Sequence, residues 1–244
     1  MILTIDIGNT RIKSAVFENN TIIHTTSFKH EFFFDEIGNI LNQHKKITVL
    51  VVASVGKIEK SAFEVFSKRV KIHFITSLHS FPFQNNYSTP ASLGIDRMVL
   101  TAGAVLQFPN KNRLIIDAGT CVTYDFVDEN NNYLGGAISP GMRLRYESMH
   151  NYTAKLPLLE KEEPTTIIGD STNQSIHSGV VNGLTFEMDG YISALTFQKE
   201  NFIIILTGGD AIFLAKRLKN TIFANSNFLL ESLNHLYQYQ INND

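Results

Sequence analysis

The sequence predicts an α/β fold made of two copies of one unit, in which three antiparallel strands precede alternating helices and strands (βββαβαβα). Two observations predict the duplication. An Asp-x-Gly tripeptide ends an apolar run at Asp6 and again at Asp117, 111 residues later. Each tripeptide is followed by a second apolar run, as in a β-hairpin. We therefore expect domains at residues 1–111 and 112–244, with the two hairpins facing a central cleft.

Hydrophobic periodicity assigns the individual elements. The first half is predicted to contain, in chain order, strands 2–7, 11–17 and 21–28, helix 33–44, strand 47–55, helix 58–69, strand 71–76 and helix 96–107. The second half is predicted to contain a strand that begins at residue 114 and leads into the second Asp-x-Gly turn, and then strands 121–127 and 133–138 and helix 141–152. A long helix 172–197, strand 202–206, helix 210–218, a short strand near residue 222 and a last helix from residue 228 follow. The continuous apolar run at 47–55 is typical of a buried central strand.

Composition excludes several classes of function. A net charge of −2 and a pI near 6.4 argue against nucleic-acid binding and against binding to an anionic membrane. No apolar run reaches the roughly 20 residues of a membrane helix, and no signal peptide is apparent. Cys121 is the only cysteine, so an intramolecular disulfide framework is excluded and a reducing, cytoplasmic location is expected.

The first hairpin has the chemistry of a phosphate site. Gly8 permits close backbone approach, and backbone N–H groups in such a turn form a concavity for anions. Thr10 and Lys13 would add a hydroxyl and a cation. Asp6 would repel a bare phosphate, which suggests a bound divalent cation. The alternative is an ordinary hairpin with Asp and Asn as turn formers, and Lys13 would then lie on a solvated strand face.

Two Asp-x-Gly hairpins and a later strand ending in Thr207, Gly208 and Gly209 resemble the actin, Hsp70 and sugar-kinase superfamily of ribonuclease H-like ATPases. The match is closest to type III pantothenate kinases. It rests on five segments that occur in the family's order: residues 6–13 (DIGNTRIK), 87–97 (YSTPASLGIDR), 117–120 (DAGT), 135–141 (GGAISPG) and 153–157 (TAKLP). One departure is small: Leu233 follows Glu231 and Ser232, where the family often has a glycine before the leucine.

The resemblance implies an ATP-dependent phosphotransferase with an alcohol acceptor, converting pantothenate to 4′-phosphopantothenate in coenzyme A synthesis. It also implies a homodimer that uses Mg²⁺ with ATP and a monovalent cation, K⁺ or NH₄⁺. The implied ATP-binding residues are Asp6, Ile7, Gly8, Asn9, Thr10, Arg11, Ile12, Lys13 and Thr120. The implied pantothenate-binding residues are Tyr87, Gly94, Ile95, Asp96, Arg97 and Thr172. Asp117 is implied to ligate the monovalent cation, and Asp96 to be the general base.

Each assignment has a structural alternative. Asp96 could be a helix N-terminal charge, and Arg97 part of a surface or interface salt bridge. Tyr87 could be simple packing, and Asp117 a turn-forming residue. Thr172 could cap the long helix, a position for which Asp170 and Ser171 compete.

Gly179 and Gly183 on the long helix indicate a close helix contact, either within the chain or across a dimer.

Two other interpretations of the function stay open. The protein could be a kinase for another small alcohol, such as a sugar, or a nucleotide-binding regulator without catalysis.

Overall fold

The structure is a computed structural model that describes residues 1–54, 58–197 and 201–243. Its strands are β1 (Ile2–Ile7), β2 (Ile12–Glu18), β3 (Thr21–Phe28), β4 (Val49–Ser54), β5 (Lys71–Phe74), β6 (Gln84–Asn85), β7 (Asn112–Ala118), β8 (Cys121–Val127), β9 (Asn132–Pro140), β10 (Phe202–Thr207) and β11 (Phe223–Ala224). Its α-helices are α1 (Phe33–Gln43), α2 (Ile95–Gln107), α3 (Met142–Asn151), α4 (Thr172–His177), α5 (Gly183–Thr196), α6 (Ala211–Ala215) and α7 (Phe228–Asn243).

The chain folds into two compact units. Unit 1 comprises Met1–Pro109, Asn131–Tyr133 and Asn227–Asp244, and unit 2 comprises Asn110–Asn130 and Leu134–Ser226. In both units strands come first and helices then alternate with strands, so the predicted mixed α/β architecture with two sheets is confirmed.

Unit 1 is built on a five-stranded sheet in the order β3-β2-β1-β4-β5. The predicted hairpin of β1 and β2 is antiparallel, and its register places Asp6 opposite Lys13. β4 lies parallel to β1 on the other side, and its buried residues explain the continuous apolar run in the sequence. Helix α1 covers the core with a buried face of Phe33, Ile37, Ile40 and Leu41, which is the predicted helical spacing.

The last helix, α7, packs within unit 1. It lies against α2 so closely that a Cβ added to Gly103 would be 1.8 Å from Oγ of Ser232. Most of α7 is buried, including Leu233 and Leu236, and the long buried stretch of α2 supplies the apolar partner it needs. In this respect the packing differs from the assignment of residues 112–244 to one domain. The domain boundaries themselves stay a prediction.

Unit 2 is built on strands in the order β11-β10-β7-β8-β9. β7 pairs antiparallel with β8 and parallel with β10, so Asp117 has Thr123 on one side and Thr207 on the other. The sequence predicted the β7–β8 hairpin but contains no local signal for the parallel β7–β10 pair. This pairing brings the turn after β10 next to the second Asp-x-Gly turn.

Three elements differ from the prediction. Residues Lys60–Phe66 form a 3₁₀-helix rather than part of an α-helix, because Phe63 and Phe66, three residues apart, are the buried pair, whereas Val65 is 65% exposed. The predicted long helix from residue 172 is interrupted by a π-helical turn at Ser178–Asn182. The two-residue strand β6 pairs with the start of β9 and has no counterpart in the prediction. Residue 55 of the predicted strand 47–55 lies outside the described residues.

The predicted turn at residues 130–132 is confirmed, and Asn131 adopts a left-handed conformation there with φ of 64°. Among residues 1–54, 58–197 and 201–243, no helix has both the length and the apolar character needed to cross a membrane.

Candidate active site

The first hairpin holds its predicted polar groups at the ends of β1 and β2. The Gly8 N–H donates to the Arg11 carbonyl at 3.2 Å, which closes the turn. Asp6 is only 8% exposed, at the point where β1 approaches this turn. Lys13 stands opposite Asp6 and is half-buried. Asp6 and Lys13 thus lie side by side next to a backbone turn, as a phosphate and metal site requires.

His30 supports this turn from outside and was not identified in the sequence. Its Nε2 lies 2.9 Å from the Gly8 carbonyl oxygen. Because a carbonyl can only accept, Nε2 carries the proton and donates it. The two residues are 22 positions apart, so no local pattern in the sequence could have linked them.

The remaining residues of the predicted ATP-binding segment have different environments. Asn9 and Thr10 are exposed at the turn. Ile7 and Ile12 are fully buried in the core of unit 1, so only their backbone can contact a ligand. Arg11 donates to the hydroxyl and the carbonyl of Ser27, which directs its side chain along β3.

The second Asp-x-Gly turn has the same closure as the first. The Gly119 N–H donates to the Cys121 carbonyl at 2.9 Å, as Gly8 does to Arg11. Asp117 is half-buried and Thr120 is exposed. The Gly141 N–H donates to the Thr120 carbonyl at 3.1 Å, so the segment before α3 lies directly against this turn. The predicted repeat of the hairpin is therefore present in the backbone hydrogen bonds as well as in the sequence.

The turn after β10 lies against Asp117. Gly208 has a φ of +97°, which favours glycine. A Cβ at this position would be 2.5 Å from Oδ1 of Asp117 and 2.4 Å from the carbonyl oxygen of Ala118. Only a residue without a side chain fits between these two oxygens. The turn of Gly208 and Gly209 and the second Asp-x-Gly turn are therefore packed directly against each other in unit 2.

Asp96 lies in the first turn of α2. The backbone N–H of Arg97 donates to its Oδ1 at 2.9 Å, which orients the half-buried carboxylate. A Cβ at Gly94, the residue that precedes the helix, would lie 2.5 Å from the same oxygen. Gly94 therefore leaves the space that this carboxylate occupies.

Arg97 and Tyr87 lie beside this carboxylate in unit 1. The Arg97 guanidinium is 5.9 Å from the centre of the Tyr87 ring, and the residue is only 6% exposed. This burial is inconsistent with the surface ion pair considered from the sequence.

A cavity of about 480 Å³ in unit 1 reaches one of the predicted acceptor residues. Its wall includes Ile95, the neighbour of Asp96, together with apolar side chains and the polar Ser54, Lys60 and Thr76. The structure therefore brings together five of the six predicted acceptor residues around one end of α2.

Thr172, the sixth predicted acceptor residue, lies in unit 2. It is the first residue of α4 and is exposed, but it does not cap the helix. Ser171 is the cap, since its hydroxyl accepts from the Gln174 N–H. The capping alternative for Thr172 is therefore removed.

The carboxylate and carbonyl oxygens of the two Asp-x-Gly turns suit metal ions that also bind phosphate or water oxygens. Among the residues that the structure describes, no group of three or more His, Cys, Asp or Glu side chains could hold a metal alone. Mg²⁺ usually binds through one or two carboxylates, substrate phosphates and water, which a single buried Asp6 beside a phosphate turn can provide. The Asp117 carboxylate and the Ala118 carbonyl, on either side of Gly208, are oxygen donors suited to a hard cation.

Comparison with known structures supports the fold. A Campylobacter jejuni protein assigned to the Baf family of transcriptional activators superposes with a TM-score of 0.64 at 19% identity, covering 98% of this chain and 99% of that one. A glucokinase from an Antarctic psychrotroph superposes with a TM-score of 0.51 at 12% identity, covering 97% and 98%. At these identities the likeness shows the fold alone, a mixed α/β fold that this chain shares with both structures.

Comparison of sequences shows the family. The family model described as type III pantothenate kinase matches residues 2–194. Curated proteins of that name are 75% identical in Flavobacterium psychrophilum, over 98% of this chain and 100% of the relative, and 62% identical in Flavobacterium johnsoniae, over 100% of both. One from Bacteroides fragilis is 36% identical over 98% of each chain. This chain therefore belongs to the type III pantothenate kinase family.

Proposed function

We propose that this protein transfers the γ-phosphoryl group of ATP to the primary hydroxyl of pantothenate, giving 4′-phosphopantothenate and ADP. The oriented carboxylate of Asp96, the residue that follows Ile95 of the cavity wall, carries this proposal. The acceptor hydroxyl must lose a proton as its oxygen bonds to phosphorus, and a carboxylate positioned at that oxygen takes it. The relatives of the same name support pantothenate as the acceptor.

The cavity beside Ile95 has the mixed lining that pantothenate needs. The substrate has a dimethyl centre, an amide and a carboxylate, and the wall offers apolar side chains, hydroxyls, the Lys60 ammonium and the Glu59 carboxylate. Arg97, buried against Tyr87, presents a guanidinium suited to bind a carboxylate. We assign Tyr87, Gly94, Ile95 and Arg97 to acceptor binding.

ATP enters this reaction with a divalent metal, as in kinases generally. We propose that Mg²⁺ is this metal and that Asp6 holds it, while Gly8, Asn9, Thr10 and Lys13 contact the phosphates. Bound Mg²⁺ would neutralise charge on the transferring phosphoryl group. We further propose that Thr120 contacts ATP phosphate and that Asp117 binds K⁺ or NH₄⁺. The two oxygens that flank Gly208 support the cation assignment. A cytoplasmic location follows from the need for ATP and fits the single Cys121.

The direct test measures ADP release from purified protein with ATP, Mg²⁺ and pantothenate, in K⁺ and in Na⁺. We expect turnover in K⁺, little turnover in Na⁺, and none when EDTA removes the divalent metal. The product should be identified as 4′-phosphopantothenate by mass spectrometry. Turnover of a sugar in place of pantothenate would overturn the acceptor assignment. Nucleotide binding without turnover of any alcohol would favour the regulator instead.

We also propose that the protein is a homodimer that uses one face of α5. Gly183, Phe186 and Gly190 lie on this face, and Gly179 continues it into the preceding π-helical turn. Phe186 is 53% exposed, and a Cβ built on Gly179, Gly183 or Gly190 would have no described atom within 4 Å apart from its chain neighbours and the backbone of its own helix. The close helix contact that these glycines indicate is thus not made within the described residues. A second copy of the helix supplies it, and we propose that Thr172 completes the partner's acceptor site.

Phe186→Glu tests the dimer, because a carboxylate on this face would be desolvated in the interface. We expect the wild type to be a dimer and the variant a monomer by size-exclusion chromatography with light scattering. Phe34→Glu is the matched control, since Phe34 on α1 is 55% exposed. A dimer that persists in Phe186→Glu, or is lost equally in Phe34→Glu, would exclude α5 as the interface.

A further inference from the structure

The side chain of Arg145, on α3, reaches back to the segment that precedes its own helix. Its Nε donates to the Pro140 carbonyl at 2.9 Å, and its Nη2 donates to the Ser139 hydroxyl at 2.8 Å. Nη2 also contacts Oε2 of Glu187, a residue of α5. One guanidinium therefore joins the end of β9 to a carboxylate that lies 42 positions after Arg145 in the chain.

Glu187 extends this connection to β8, the strand that follows Thr120. Its Oε1 accepts from the Tyr124 hydroxyl at 2.7 Å, and the Tyr124 ring stacks on Tyr191 at 4.2 Å. The side chains of Arg145 and Glu187 are only 21% and 26% exposed. Because the Arg145–Glu187 ion pair is partly buried and makes several further hydrogen bonds, its geometry is more rigid than that of an exposed surface ion pair.

The segment held by Arg145 in turn fixes the second Asp-x-Gly turn. Gly141 donates to the Thr120 carbonyl, and a Cβ at Gly141 would be 2.2 Å from the Gly119 carbonyl oxygen. The two backbone segments are in such close contact that neither can shift without moving the other. The position of residues 119 and 120 is thus linked to Arg145 through Pro140 and Gly141.

We propose that Arg145 and Glu187 are positioning residues for ATP, which hold residues 139–141 against residues 119–120 so that the second turn is preorganised for phosphate. The inference rests on the proposed function only in taking ATP as the ligand of this turn. Preorganisation lowers the ordering cost of binding, so its loss weakens nucleotide affinity without removing a group that touches the nucleotide.

The charge of Glu187 persists at neutral pH. Burial raises the pKa of the Glu187 carboxyl, but hydrogen bonds from Arg145, Tyr124 and Ser139 outweigh it, so the net pKa lies below the ordinary value of 4.5. A lowered carboxyl pKa stabilises the folded state above pH 4.5, and this contribution is lost as the pH falls through the lower, folded-state value. Burial and the hydrogen bond to Glu187 raise the pKa of Tyr124, which therefore remains a donor.

The test compares Arg145→Met with Arg143→Met, two arginines on the same helix. Arg143 pairs with Glu147 and Glu160 on an exposed surface, and none of its described hydrogen bonds reaches residues 139–141. In Arg145→Met we expect the Kd for Mg-ATP, measured by calorimetry without acceptor, to rise about tenfold, which equals about 1.4 kcal/mol. The KM for ATP should rise in parallel while the KM for pantothenate stays near wild type. Arg143→Met should change none of these values.

Two further variants keep the test decisive if Arg145→Met folds poorly. Arg145→Lys keeps the positive charge but loses the planar guanidinium with its several N–H donors, so the Kd for Mg-ATP should lie between those of wild type and Arg145→Met. Glu187→Gln should weaken ATP binding in the same direction and add little in the double variant with Arg145→Met. Wild-type ATP affinity in Arg145→Met, or an equal rise in both KM values, would overturn the inference. Wild-type protein that binds ATP without phosphorylating pantothenate would overturn the proposed function alone.

Discussion

Replacement of Asp96 by Asn is expected to lower kcat by about 10²–10⁴-fold while leaving ATP affinity unchanged. The amide keeps the size of the side chain and can still accept the Arg97 N–H at Oδ1. It removes the basic oxygen that would take the proton of the acceptor hydroxyl. The measurement is the steady-state rate with pantothenate, together with the Kd for Mg-ATP by calorimetry.

The competing explanation is that Asp96 only stabilises the N-terminus of α2. An acidic residue in the first turn of a helix contributes about 0.3–1 kcal/mol, and its loss would lower stability with little effect on the rate. Asp35→Asn is the matched control, because Asp35 is exposed in the first turn of α1. We expect it to retain wild-type kcat. If Asp96→Asn behaves like Asp35→Asn in both rate and unfolding, Asp96 is not the base.

The parts of the fold that the sequence predicts are those with a local pattern. The β1–β2 hairpin follows from two alternating runs around Gly8, and its observed pairing is antiparallel. Helix α1 follows from apolar residues at helical spacing, all of which are buried. The repeat at Asp117 follows from a tripeptide in the same position relative to a buried strand. In each case the signal lies within about 20 residues of chain, the scale on which periodicity acts.

The parts that the sequence does not predict depend on contacts between distant positions. His30 donates to Gly8 across 22 residues, and Arg145 contacts Glu187 across 42. Neither pair produces a periodic pattern in the sequence, because each residue taken alone resembles any polar surface residue. The parallel β7–β10 pair, which brings Gly208 to Asp117, is of the same kind. The N-cap of α4 could not be predicted for another reason. Asp170, Ser171 and Thr172 all have side chains that can cap a helix, and only the backbone geometry selects Ser171.

Gly208→Ala is expected to destabilise unit 2 strongly. The added Cβ would lie 2.4 Å from the Ala118 carbonyl oxygen, 2.5 Å from its carbon and 2.5 Å from Oδ1 of Asp117. Two of these three atoms are backbone, so rotation of a side chain does not relieve the clash. The φ of +97° adds strain for any residue with a Cβ. Together these effects should lower the free energy of unfolding by about 2–5 kcal/mol, measured by urea denaturation.

The same change should also weaken the response to K⁺. The Cβ would displace the Asp117 carboxylate or the Ala118 carbonyl, the two oxygens that we assign to the cation. In the folded fraction, the K⁺ concentration for half-maximal rate should therefore rise. The KM for pantothenate should change less, because Tyr87, Gly94, Ile95 and Arg97, which we assign to acceptor binding, lie in unit 1. The K⁺ titration is run in urea-free buffer at a temperature where native protein predominates.

Gly209→Ala separates this local effect from the general cost of replacing a turn glycine. No described atom lies within 4 Å of a Cβ built on Gly209, and its φ lies outside the left-handed region. Its unfolding free energy should stay within about 0.5 kcal/mol of wild type, with an unchanged K⁺ response. If the two variants lose stability equally, the clash with Ala118 and Asp117 is not what fixes residue 208 as glycine. If Gly208→Ala loses stability but responds to K⁺ as wild type does, the oxygens beside it are structural and the cation binds elsewhere.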